Sequence, residues 1–281
     1  MVKAVSKVWL SIFLLIFPFV ICAQKARPFV LGEVRELQSS ELKQKRTLNI
    51  YLPAGYNPKD TVKYPVVYLL DGSADEDFIH VVGLFQFNNF EWINQVPKCI
   101  VVGIANVDRK RDFTFPTSIE ADKKRTPTSG ESATFIRFIE NELQPYVEKN
   151  YKTKNSRTII GQSLGGLLAS EILITKPSLF HKYIIVSPSL WWNAESLLKK
   201  DIEPANHKID IYIGVGNETQ PGDSVDIMER DARLLSEKIK KEAPGYTVYY
   251  DYLPKENHAT VLHQALYNAM RLIWPVNSGK K

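Results

Sequence analysis

Cysteine is scarce in this chain: Cys22 and Cys99 are the only two among 281 residues. Cys22 falls in the N-terminal leader argued below, so Cys99 has no internal disulfide partner. Within the apolar run Cys99–Ile104 it reads as buried filler. No Cys/His cluster has metal-ligand spacing, so no metal site is expected. A surplus of one charge is also missing. The net charge is +5, with Lys and Arg scattered among acids, which excludes a nucleic-acid footprint. There is no internal repeat and no long low-complexity segment, so a single domain is expected. The longest apolar run, Val8–Val20, has 13 residues and is too short to span a bilayer comfortably.

That run has the form of an export signal. Lys3 and Lys7 make a basic start, Val8–Val20 the apolar middle, and Ala23 a small residue before a cut. Residues 1–23 are read as a signal peptide and 24–281 as one catalytic domain, periplasmic or secreted, with no stable membrane insertion after cleavage. Lipidation on Cys22 is the rival, disfavoured by Ile21 where a small residue is expected. A retained membrane anchor is a second rival. Removing Lys3 and Lys7 lowers the charge from +5 to +3. The remaining length is ample for a large α/β core.

What is present centres on Gly161-Gln162-Ser163-Leu164-Gly165. It follows the apolar Thr158, Ile159 and Ile160 and precedes the helix-like Leu167, Leu168, Ala169, Ile172 and Leu173. G-x-S-x-G between a strand and a helix is a nucleophile elbow: a serine projects its Oγ from a sharp turn, and side chains at Gly161 or Gly165 would collide with their neighbours. The following helix aims its N-terminus at the reaction centre, where the Leu164 N–H can hold an oxyanion. The alternative is an ordinary glycine-rich turn.

The rest of the chain alternates strands with helices. Strands are expected at Phe29–Leu37, Arg46–Leu52, Pro65–Leu70, Cys99–Ala105, Arg157–Ile160, Tyr183–Val186, Ile209–Val215 and Tyr246–Leu253. The first two pair as an antiparallel edge. Helices are expected around Phe78–Ile93, after a capping box at Thr128 and Glu131, along Val225–Ile239 and along Val261–Ile273. Pro145 is expected to kink the helix after the capping box. Asn106–Gly130 reads as one long polar loop. This order implies an α/β-hydrolase-like fold: a mostly parallel sheet with helices on both faces, and active residues at the carboxyl ends of the strands.

A serine nucleophile needs a base, and the base an orienting acid, in the chain order Ser, acid, His. His181 and His207 precede strands, at the wrong end of the sheet. His263 falls inside the last helix and His80 on an upstream one. His258 alone lies in a loop after the last strand. For the acid, Glu218 follows the strand ending at Val215. Asp223 and Asp226 lie further on, and Asp226 could instead sit in the first turn of a helix. A dyad without a fixed acid is the remaining choice. The second oxyanion donor is expected after Leu70, at the Ser73 N–H; the alternative for Asp71-Gly72 is a plain turn. Trp191 and Trp192 are candidates for the substrate pocket or for packing. Arg109 and Arg111 are candidates for a substrate carboxylate or catecholate oxygen, or for ion pairs with Asp108 or Asp112.

The stretches VVYLLDG (Val66–Gly72), IVVGIANVDRKRDFT (Ile100–Thr114), FIENELQPYVEKNY (Phe138–Tyr151), GQSLGGL (Gly161–Leu167), LFHKYIIVSPSLWW (Leu179–Trp192) and ENHATV (Glu256–Val261) add to the elbow independently. With them the chain resembles the putative-esterase (esterase D-like) family of α/β-hydrolases, and most of all its bacterial branch near the siderophore (enterobactin) esterases. The resemblance implies Ser163 as nucleophile and His258 as base. Three departures stand out: Gln162 where relatives often have His, an extra residue in RDFTFPT (Arg111–Thr117), and SGES (Ser129–Ser132) in place of a more glycine-rich turn. The last two bear on the substrate, not the reaction.

The expected activity is therefore that of an exported serine esterase without cofactor, acting on a small-molecule or glycan ester: a siderophore lactone, an acylated glycan or a small acyl ester. An acyltransferase on the same machinery and a non-catalytic sugar or siderophore binder are the alternatives. The sequence fixes no oligomeric state.

Overall fold

The computed structural model describes residues 26–219 and 225–274; the expected signal peptide lies outside the described residues. Among those described, no helix is long and apolar enough to cross a membrane.

Eight strands form one sheet: β1 (Glu33–Ser39), β2 (Gln44–Tyr51), β3 (Tyr64–Leu69), β4 (Ile100–Ile104), β5 (Thr153–Gln162), β6 (Lys182–Val186), β7 (Asp210–Gly216) and β8 (Thr247–Leu253). Their order is β1-β2-β4-β3-β5-β6-β7-β8. β1 and β2 join antiparallel to the β4 edge; all other pairs are parallel. The first strand begins at Glu33, later than the expected Phe29.

β3 shows why the core sits on both sides. Its six residues are all buried. Val66 and Tyr68 join one hydrophobic cluster, while Val67 and Leu69 join the other, as alternation along a strand requires. Each fully buried aliphatic side chain contributes about 1.5–3 kcal/mol.

The helices are α1 (Phe78–Asn88), α2 (Arg109–Phe113), α3 (Glu120–Arg125), α4 (Ser132–Phe138), α5 (Gln144–Asn150), α6 (Leu164–Thr175), α7 (Trp192–Glu195), α8 (Ile227–Glu242) and α9 (Val261–Ile273). α1 and α9 cover one face with Val81, Val82, Phe85, Ala265 and Leu266. α4, α6 and α8 cover the other with Phe135, Leu167, Leu168, Ala232 and Leu235.

Three local expectations need correction. α1 stops at Asn88, so Phe90 and Ile93 lie in the turns beyond it. The polar stretch after β4 is not one loop. It holds α2, capped by Asp108, whose side chain accepts from the Arg111 N–H, and also α3. Thr128 and Glu131 form no capping box: Glu131 is the N-cap but its side chain caps no backbone N–H, accepting instead from the Thr134 hydroxyl, and the Thr128 hydroxyl donates to Asp108. Near Pro145 the helix widens into one π-turn, Ile139–Leu143, before α5. Such a turn accommodates a residue without an N–H.

The chain runs from β3 to one side of the sheet (β4) and from β5 to the other (β6). The crevice at this reversal, outside the carboxyl ends of β3 and β5, is where ligands bind in such sheets. The loops that meet there are Asp71-Gly72-Ser73 and Gln162-Ser163.

Candidate active site

β5 ends at Gln162, α6 starts at Leu164, and Ser163 alone makes the turn, at φ 59° and ψ −118°. A non-glycine residue in that region carries strain on the order of 1–3 kcal/mol, which the surroundings must hold. They do so through three backbone bonds: Ser163 N–H to Val186 O at 3.0 Å, and the Leu167 and Ser189 N–H groups to Ser163 O at 2.9 and 3.0 Å. At Gly161 a Cβ would lie 2.3 Å from the Gly165 carbonyl oxygen, so only glycine fits. Gly165 is crowded rather than blocked: its Cβ would meet Asp71 Oδ2 at 3.2 Å.

The Ser163 hydroxyl lies 3.4 Å from the Ser189 hydroxyl, the two sharing a long hydrogen bond. Ser189 is 3% exposed. It sits in the SPSLWW stretch beside the tryptophans, and nothing in its sequence setting marks it as a partner of the nucleophile.

His258 and Glu218 come from neighbouring strands. β7 and β8 pair in parallel up to Gly216 and Leu253, and the Asn217 N–H donates to Glu256 O at 2.8 Å, joining the two loops beyond. This places His258 Nδ1 2.6 Å from Glu218 Oε2. The Glu218 side chain is 5% exposed and the His258 side chain 47%, so a buried carboxylate holds a solvent-facing imidazole. The base loop is tied to the elbow as well, because Gln162 Nε2 donates to the His258 carbonyl at 2.5 Å. Gln162 is thus the bridge between elbow and base loop.

Of the other two acids, the structure describes Asp226 alone. Asp226 caps α8 by accepting from the Glu229 N–H at 3.1 Å, and its other oxygen accepts from the Glu218 N–H at 2.7 Å. It holds the backbone of Glu218 rather than the imidazole. Asp223 lies outside the described residues.

Two N–H groups suit an oxyanion. Leu164 opens α6, so its N–H has no carbonyl partner within the helix, at the positive end of the dipole. The Ser73 N–H makes no hydrogen bond among the described residues. Beside it, Gly72 packs so tightly that a Cβ would lie 2.3 Å from Gly103 Cα.

The expected substrate contacts fare unevenly. Trp192 is wholly buried, and its indole N–H donates to Phe115 O at 2.8 Å. It anchors the core and cannot wall a pocket. Trp191 is partly exposed, with the Arg125 guanidinium 4.9 Å from its ring centre, and stays available to a ligand. Arg109 is engaged by Asp71: Nε lies 2.6 Å from Oδ1 and Nη2 lies 2.9 Å from Oδ2. The partner differs from the Asp108 or Asp112 weighed from sequence. Arg111 pairs with Asp112 at 2.9 Å and lines a hollow of about 630 Å³ with Ser40, Lys43 and Glu142, away from the elbow residues. The buried Asp112 also pairs with buried Arg46, and a carboxylate so enclosed requires such cationic partners.

Beside the elbow, Gln162, Ala259 and Thr260 line a hollow of about 670 Å³ with Asp77, His80 and His263. The two imidazoles stack there, centres 5.2 Å apart. Burial, then the charges of Asp71 and Glu76, push the Asp77 carboxyl up to about 6. Burial, then His263, holds His80 below its ordinary range. Both histidines lie on helices, as the sequence implies, His80 on α1 and His263 on α9. Among the described residues no group of three or more His, Cys, Asp or Glu could hold a metal ion.

The family described as Putative esterase matches residues 39–262. The ferri-bacillibactin esterase BesA of Bacillus subtilis is 32% identical over 258 residues, covering 85% of this chain and 88% of that protein. An IroE-like serine hydrolase from Shewanella oneidensis has a similar structure, with TM-score 0.75 at 32% identity, over 86% of this chain and 80% of that one. So does the BES protein from Bacillus cereus, with TM-score 0.76 at 28% identity, over 90% and 99%. The sheet order and these neighbours make the fold an α/β-hydrolase fold.

Proposed function

The chain belongs to the putative-esterase family and is a carboxylic ester hydrolase, and from that premise we propose that it works through an acyl-enzyme on Ser163 and acts on a siderophore lactone outside the cytoplasm. The observation that carries the mechanism is the buried Glu218 carboxylate 2.6 Å from His258 Nδ1. It fixes the tautomer in which Nδ1 carries the proton and Nε2 is left to accept one.

Ser163 Oγ attacks the ester carbonyl while His258 Nε2 takes its proton. The Ser73 and Leu164 N–H groups hold the oxyanion that forms, at the moment when charge on that oxygen is greatest. The tetrahedral intermediate collapses, His258 returns the proton to the leaving alkoxide, and the acyl group stays on Ser163. Water then repeats the sequence with His258 as base and releases the acid.

The name of the Bacillus subtilis relative supports the siderophore assignment. The Lys3, Lys7, Val8–Val20 and Ala23 pattern supports export. The test is a hydrolysis screen with the purified chain starting at Gln24. Its substrates are a catecholate trilactone, its ferric complex, acetylated and feruloylated glycans, and short acyl esters. The trilactone or its ferric complex is expected to give the highest kcat/KM. A higher value on a glycan ester would contradict the substrate, and acyl release only with an added acceptor alcohol would contradict hydrolysis.

A further inference from the structure

We propose that Arg109 and Asn49 are positioning residues that set the Ser73 N–H against the nucleophile, a role that rests on Ser73 being the second oxyanion donor.

Arg109 ties two loops together with one guanidinium. Nε and Nη2 grip both oxygens of Asp71, and Nη2 also donates to the Gln162 carbonyl at 3.2 Å. Asp71 opens the loop that carries Ser73, and Gln162 is the residue before Ser163. The rigid planar fork of Arg suits this three-point attachment, and a lysine would supply only a point charge. Asp71 needs such a hold. It sits at φ 54°, a strained position for a residue with a side chain, and Asn106 Nδ2 adds a bond to Oδ1 at 2.7 Å. The spacing between loop and elbow, and hence between the Ser73 and Leu164 N–H groups, is set through this ion pair.

Asn49 fixes direction rather than spacing. It is 5% exposed on β2, and its Nδ2 donates to the Gly72 carbonyl at 2.8 Å. The Gly72–Ser73 peptide is planar and trans, so its C=O and N–H point opposite ways. Holding the Gly72 oxygen therefore aims the Ser73 N–H away from β2. The Gly72 N–H is held too, by Ile104 O at 3.0 Å. The peptide that presents the donor is thus gripped before substrate arrives, and an oxyanion hole needs this kind of preorganisation. Neither Asn49 nor Arg109 has to touch the reacting atoms.

The test compares Asn49→Leu, Arg109→Gln and Arg109→Lys with wild type on one simple ester. Each protein is also titrated with a trifluoromethyl ketone, which forms an oxyanion on the enzyme. Asn49→Leu and Arg109→Gln are expected to lower kcat by about 10- to 100-fold, shift KM less than about threefold, and weaken the ketone in proportion to the kcat loss. Arg109→Lys is expected to recover part of the loss. Arg109 is partly exposed, so its variants read the effect even if Asn49→Leu fails to fold. Folded variants that keep wild-type kcat and ketone affinity would overturn the inference. So would a change confined to KM, which would make Arg109 a substrate contact. Labelling of Ser163 by a fluorophosphonate separates the layers. Labelled proteins with unaffected kcat sink the positioning role alone. An unlabelled Ser163 in active wild type sinks the acyl-enzyme reading and the positioning role with it.

Discussion

The side chain of Asp226 accepts the Glu218 backbone N–H at 2.7 Å, so the residue that starts α8 also holds in place the carboxylate facing His258. One aspartate does two tasks, and its substitutions separate them. Asp226→Ala should destabilise the fold by about 1 kcal/mol through the lost cap. It should also lower kcat about tenfold as Glu218 loosens. Asp226→Asn, which keeps one capping oxygen but turns an NH2 toward the Glu218 N–H, should recover most of the stability and little of the kcat. Urea midpoints and kcat of the two variants check this; equal kcat in all three proteins would remove Asp226 from the account.

The two glycines of the elbow should not respond alike. Gly161→Ala forces a Cβ to within 2.3 Å of a backbone oxygen, so the turn must shift and kcat should fall by about 10²-fold or more. Gly165→Ala meets only a side-chain oxygen at 3.2 Å and should keep more activity. Kinetics of the pair decide it, and the reverse ranking would contradict the elbow geometry described.

Trp192→Phe should cost stability and leave substrate affinity alone. The change leaves the Phe115 carbonyl unpaired, a cost of about 1–3 kcal/mol, in addition to the cavity it opens. The denaturation midpoint should fall while KM stays near wild type. A raised KM with unchanged stability would put Trp192 back at the substrate.

The pair His181 and His207 should make the protein acid-sensitive. Their rings stack with centres 4.1 Å apart. Burial first, then His207, Arg157 and Lys182, push the His181 imidazole down to about 4. An imidazole depressed in the folded state is protonated first in the unfolded chain, so stability falls as pH drops from about 6.5 toward 4. Since the ring is partly exposed, the loss should be on the order of 1 kcal/mol, or roughly 2–4 °C in Tm. Melting curves of wild type and His181→Gln across that range should converge at low pH; parallel curves would rule out His181 as the cause.

The strands were legible because a strand buried on both faces is an apolar run with sharp ends, as at Val66–Leu70 and Ile211–Val215. The elbow was legible because a backbone contact dictates Gly161 and close side chains crowd Gly165. α2 and α3 were not, since five or six mostly charged residues carry no helical period; their caps and ion pairs emerge only in three dimensions. The strand order offers three acids, and Glu218 stands out only through its contact with His258, while Asp226 faces backbone N–H groups. For Trp192 and Arg109 the sequence leaves two readings open, substrate contact or structural partner, for one reason. Residue type and place in the chain bring both to the carboxyl end of the sheet, yet whether a side chain there faces substrate or core depends on partners, Phe115 and Asp71, far away in sequence. Asn49 gave no signal at all: one polar residue in an apolar strand reads as a surface position until its carbonyl partner is seen.

The most direct test of the central claim is intact-protein mass spectrometry of the enzyme quenched during turnover of a slowly deacylated ester, followed by peptide mapping. The account predicts a mass increase equal to the acyl group, located on Ser163. It also predicts none in Ser163→Ala, whose turnover should drop by about 10⁴-fold or more with its fold intact. An acyl group on another residue, or a Ser163→Ala variant that keeps more than about a tenth of the wild-type rate, would contradict it.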